Sequence, residues 1–249
     1  MPLNNITYSF VVLDKIKLIF FNVFIIIFFS KLIYAADCTA VNGNTVTISS
    51  NCTNLEVSGE GSNVTVDTGV TVSASSVALE SSGSETINAI TNNGTISVSG
   101  QAALQNSTAV TTLTNSGQIS ASSHHGLKNA SGGIIGTLNN SGTISSTNNH
   151  NGLYNFNSAV INVLNNSGTI SASKNKGLLN NTNALIVELN NSGTISSGQE
   201  YGLRNDNGAS ITTLTNSGNI QSNRNGLYNT STITTIINDA LISMDYPSV

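Results

Sequence analysis

Ile, Leu and Val recur along this chain at fixed intervals, set apart from one another by Gly, Asn, Ser and Thr. The segment from Leu138 to Ser145 reads L-N-N-S-G-T-I-S, and close copies start at Leu113, Leu164, Leu189 and Leu214, with an earlier one running from Ile90 to Ser97. A second element, G-L-x-N, falls between the copies and starts at Gly126, Gly152, Gly177, Gly202 and Gly226; Ala103-Leu104-Gln105-Asn106 is a degenerate version of it. A third apolar position stands three residues ahead of the leading Leu or Ile, at Ile87, Val110, Ile135, Ile161, Ile186 and Ile211. The pattern returns about every 25 residues, a period typical of solenoids.

The Ile-x-x-Leu spacing also suits one face of a helix, but no apolar pattern continues long enough to make one. The neighbours are poor helix formers, and N-S-G interrupts every repeat. Short strands with corners between them fit better. One repeat buries about four aliphatic side chains, too few to offset the ordering of about 25 residues, so repeats must stack to pair their backbones and join their apolar columns. The expected fold is all-β, a parallel β-helix with three short strands per coil of about 25 residues and a rung spacing of about 4.8 Å.

Three interior columns can be named in advance: Leu104, Leu127, Leu153, Leu178, Leu203 and Leu227; Ile96, Ile119, Ile144, Ile170, Ile195, Ile220 and Ile242; Leu113, Leu138, Leu164, Leu189, Leu214 and Ile236. Asn115, Asn140, Asn166, Asn191 and Asn216 also fall in register. Two readings of them stand open: amides bonding along the axis, or turn residues that tolerate left-handed dihedrals.

The ends differ from the repeats. Lys15 and Lys17 precede an apolar run from Leu18 to Phe29, and Ala35 offers a small residue at a cleavage point, so residues 1–35 read as a secretory signal peptide. The run is short of the roughly 20 residues that span a bilayer. Cys38 and Cys52, the two cysteines of the chain, follow directly. In an exported protein they are expected to form a disulfide that fastens an irregular β N-terminal cap over residues 36–78, with the solenoid repeats occupying residues 79–249 and the last coil incomplete.

Composition narrows the function. Charged residues make up 8% of the chain, against about a quarter in an ordinary soluble domain. A net charge of −4 with 8 Lys plus Arg leaves no basic stripe for nucleic acid. Carboxylates such as Glu188, Glu200, Asp206 and Asp239 stand singly, and no nucleophile–base set is spaced for catalysis, so neither an enzyme nor a cofactor is expected. His124 and His150 occupy equivalent places two residues before Gly126 and Gly152, with His125 adjacent. A metal site there competes with the plainer reading of a solvated corner. Outward Thr143, Ser145, Thr169, Ser171, Thr194 and Ser196 would form a hydroxyl lattice that suits ice or glycans, broken by Gln118, Asn219 and Gln221.

Exported, repeated L-x-N-S-G-T-I-S and G-L-x-N units resemble the passenger regions of bacterial autotransporters and related adhesin-like β-helix proteins, over roughly residues 79 to 243. The resemblance implies a right-handed parallel β-helix that is secreted or displayed at the cell surface. It also implies a structural or adhesive role towards a host or neighbouring cell surface or its glycans. Passengers of this kind reach the outer membrane through a C-terminal barrel, and no barrel-like alternation follows residue 243, so a translocator outside this chain is expected.

Overall fold

The structure, a computed structural model, describes residues 36–244. The expected signal peptide lies outside them. Strands fill most of this span, and they form three parallel sheets of nine strands each. The chain visits the sheets in turn and then returns to the first one rung further on. Leu153–Phe156, Val160–Asn166 and Thr169–Ala172 make one rung; Leu178–Asn181, Leu185–Asn191 and Thr194–Ser197 make the next. The expected parallel β-solenoid with three strands per coil is therefore what the chain builds.

Register follows the sequence repeat. Leu153 pairs with Leu178, Ile161 with Ile186, Leu164 with Leu189 and Ile170 with Ile195. Because side chains alternate across a strand, this register sends the same aliphatic residue inward on every rung. Leu127, Leu153, Leu178, Ile144, Ile170 and Leu164 are all fully buried. The columns also reach further toward the N-terminus: Leu55 and Leu79 stack beneath Leu104, and Val72 beneath Ile96. Residues 41–74 supply the first two rungs of the same sheets. Cys38 and Cys52 are disulfide-bonded with their Cα atoms 4.9 Å apart, and Cys52 packs into the core as part of the first rung. At the other end Ile236, Ile237 and Leu241 stand about half exposed.

Two chains of buried asparagines run along the axis. In the first, Asn92, Asn115, Asn140, Asn166, Asn191 and Asn216 each donate Nδ2 to the Oδ1 of the next member, at 2.7–2.8 Å, ending on Asn238. In the second, Ser81 Oγ donates to Asn106, and Asn106, Asn129, Asn155, Asn180 and Asn205 continue in the same sense to Asn229 at 2.8–2.9 Å. Of the two readings, the amide ladder is the one realised. Left-handed dihedrals belong to other asparagines, Asn54, Asn157, Asn183 and Asn207. Between the second and third sheets the corner glycine is required by close approach: a Cβ on Gly168 would lie 2.1 Å from the Gly142 carbonyl oxygen one rung below.

Candidate functional site

What the fold demands of each rung is confined to inward and corner positions, so function has to be sought among the outward ones. On the third sheet those positions are monotonous. Thr143, Thr169 and Thr194 stand in one column and Ser145, Ser171 and Ser196 in the next, all half-buried and in strict register. A shallow groove of about 450 Å³ runs along this face, lined by Ser73, Ser97, Ser120, Ser122, Ser145 and Thr147 among others, with no charged residue.

The first sheet is different. The x of each G-L-x-N points outward, and register stacks Glu56, Glu80, Gln105, Lys128, Tyr154, Leu179, Arg204 and Tyr228 into a single file. The corner that leads into this sheet carries His124, His125, His150, Lys174, Lys176, Glu200 and Arg224, and Tyr201 opens the strand that follows Glu200. Together with Phe156 and Tyr201, the file and its corner hold every Lys and Arg, every His, and every Tyr and Phe between residues 36 and 244. The sequence pattern treats x as a variable gap in a motif, and only the stacked register turns that variability into a surface.

Toward the C-terminal end of this surface the rings of Tyr201 and Tyr228 stack, with centroids 4.5 Å apart. The Arg204 guanidinium sits 5.5 and 5.4 Å from the two ring centroids, and that of Arg224 lies 4.9 Å from Tyr201, within the range of cation–π attraction. Arg204 is held in place by the buried carboxylate of Asp206, to which its Nε donates at 2.5 Å; Asn181 donates to the same carboxylate at 2.6 Å. Lys176 pairs with Glu200 at 2.9 Å. Lys128, Lys174 and Arg224 make no ion pair among the described residues.

Two rungs away the three histidines come together, and the corner is not a solvated loop at His125, which is 5% exposed. His124 and His150 stack with centroids 3.8 Å apart, and the His125 ring stands edge-on to both at 4.5 and 4.9 Å. Tyr154 closes the far side of His125 at 4.6 Å. Alignment of the two corners by the parallel register brings His150 over His124, and the turn into Gly126 swings His125 inward beside them. The backbone N–H of Asn151 donates to His125 Nδ1 at 3.2 Å. The Nδ1 of His124 is buried without any hydrogen-bond partner. Burial, then the neighbouring His124, His150 and Lys128, push the His125 pKa down to about 3; burial also lowers those of His124 and His150. All three rings are thus neutral near pH 7, with lone pairs available. Burial raises the Tyr154 hydroxyl to about 12, so it stays protonated.

Compared with known proteins, the chain matches no family model, no curated protein and no solved structure.

Proposed function

We propose that this chain is an exported, adhesin-like solenoid of the autotransporter-passenger kind, which acts by binding and not by catalysis, and that the first-sheet file with its corner is its recognition face. One observation carries the reading: every Lys, Arg, His, Tyr and Phe between residues 36 and 244 lies on the first sheet or the corner that leads into it. A face that only has to keep the rod soluble can repeat itself, as the third sheet does. A face that has to discriminate a partner needs different groups in a fixed order. Here the file carries Lys128, Tyr154, Arg204 and Tyr228 in a fixed order, with Leu179 buried between Tyr154 and Arg204. Tyr and Arg are the residue types that dominate binding energy at protein surfaces, since each joins a large rigid contact area to a polar edge.

The partner that fits is a cell-surface glycan bearing carboxylates. Tyr154 and Tyr228, both half-buried, offer ring faces to sugars, with Tyr201 buried behind Tyr228 as its support, while Lys128, Lys174 and Arg224 complement acidic groups. The disulfide is consistent with a life outside the cytoplasm, where thiols oxidise. A glycan array probed with the purified protein tests this: preferential capture of uronate- or sialate-containing glycans is expected, with at least tenfold weaker binding in Arg224→Ala/Tyr228→Ala. Absence of glycan capture, or capture indifferent to the double variant, refutes it.

A second reading rests on the hydroxyl columns of the third sheet, whose even spacing through Thr143, Thr169 and Thr194 and through Ser145, Ser171 and Ser196 suits ice or an uncharged glycan. Gln118, Asn219 and Gln221 interrupt those columns. Ice-recrystallisation inhibition that falls in Thr169→Lys would favour this face over the first.

A further inference from the structure

We propose that His124, His125 and His150 form a binding site for one divalent transition-metal ion of the imidazole-preferring kind, zinc or copper, with a fourth coordination position open to solvent or to a partner. The nitrogen atoms that the three rings can offer all lie within 4.8 Å of one another, and no other group of three or more His, Cys, Asp or Glu does so among the described residues. A tetrahedral zinc ion with Zn–N bonds of about 2.0–2.1 Å needs its nitrogens roughly 3.3 Å apart. Closing the difference requires the His124 and His150 rings to turn about their Cβ–Cγ bonds, and both are half-buried on corners outside the strands. The third ligand, His125, is buried between His124, His150 and Tyr154, and so is already positioned.

A second observation points the same way. Buried polar atoms in proteins are nearly always partnered, yet His124 Nδ1 is buried and has nothing to bond. An imidazole nitrogen without a protein partner, set beside two other imidazoles, is an arrangement that a metal ion satisfies. Two features oppose binding. Ligation through His125 Nδ1 displaces the 3.2 Å contact from the Asn151 N–H, and Lys128 contributes a positive charge nearby. Neutral nitrogen donors outweigh one partly solvated ammonium for zinc and copper. They do not for calcium or magnesium, which require oxygen ligands. Because His150 belongs to the rung after the one that carries His124 and His125, a bound ion would also bridge two rungs.

The chain is well suited to a direct test, because these are its three histidines and both of its cysteines are locked in the disulfide. Calorimetric titration of the purified protein, carrying no polyhistidine tag, with zinc chloride and with copper(II) chloride should show one saturable site per chain. Copper(II) spin-resonance spectra should carry nitrogen couplings, and calcium in excess should not displace the ion. His124→Ala and His150→Ala should each weaken zinc binding at least tenfold, and the double variant should abolish it while circular dichroism stays unchanged. Ser171→Ala, on another face, should leave it as it was. No saturable binding of either ion, an oxygen-only copper spectrum, or a double variant that binds as tightly as the parent overturns the proposal. None of these outcomes depends on whether the face recognises a glycan.

Discussion

Asn166 and Asn165 are neighbours of the same type with opposite surroundings, and truncating each to Ala separates the buried ladder from its exposed counterpart. Asn166 is 1% exposed; it accepts from Asn140 at 2.7 Å and donates to Asn191 at 2.7 Å and to the Thr194 carbonyl at 3.2 Å. Asn165 points outward and half-buried, donating to Asn139 at 2.9 Å and accepting from Asn190 at 3.0 Å. In Asn166→Ala, Asn140 Nδ2 keeps the Thr169 carbonyl at 3.2 Å, but Asn191 Oδ1 loses its donor in a place water does not reach. An orphaned buried acceptor alone costs about 1–3 kcal/mol, so a loss of at least about 1–3 kcal/mol is expected. In Asn165→Ala water replaces both partners and the change stays within about 0.5 kcal/mol. Urea denaturation followed by circular dichroism measures the two. Hydrogen exchange should show the damage of Asn166→Ala centred on the rungs from Leu153 to Ser197, since coils touch only their neighbours. Equal losses, or a larger one from Asn165→Ala, would refute the claim that the inner ladder supports the stack.

Ile170 is fully buried between Ile144 and Ile195, so Ile170→Asp places an unpaired charge in the core and should unfold the adjacent rungs, whereas Thr169→Asp, half-buried and outward, should be tolerated; thermal unfolding compares them. Cys52→Ser removes the covalent tie of the first rung and should speed exchange of the amides around Thr45–Ile48 while leaving those around Ile195 unchanged. Mass spectrometry of secreted protein should find a chain that starts after Ala35, and peptides containing Lys15 or Lys17 in that material would count against the signal peptide.

The aliphatic columns were legible in the sequence because a solenoid core makes the same demand on every rung, and Leu153 or Ile170 answers it with the same residue each time. The first two rungs were less so. Val41 pairs with Val57 across a short coil, and Leu55 with Leu79 across loops that differ from the later N-S-G corners, so the same register is reached through unlike sequence. The second amide ladder was hidden for another reason. Asn129, Asn155 and Asn180 lie at or next to the ends of first-sheet strands without being turn residues, and burial of such amides makes sense only once the next rung supplies the acceptor. The outward file of the first sheet left the weakest trace. Lys128, Tyr154 and Arg204 occupy positions that the fold leaves unconstrained, so no periodicity marks them, and the closeness of His125 to His124 and His150 depends on the path of a corner.

The near-identity of the repeats also bears on inheritance. Stretches as alike as those around Leu138, Leu164 and Leu189 invite unequal recombination, and in this architecture a whole repeat gained or lost leaves every remaining rung with the neighbours it already has. The Asn140-to-Asn166 bond and its equivalents would re-form across the junction, lengthening or shortening the rod by about 4.8 Å per event. An insertion inside a strand would throw the columns out of step, whereas one at a loop is absorbed there, as coils of 22 to 26 residues already share one register. The length of the rod would then be a trait that descendants can adjust in fixed increments, while the order of groups along the first-sheet file changes by one place at a time.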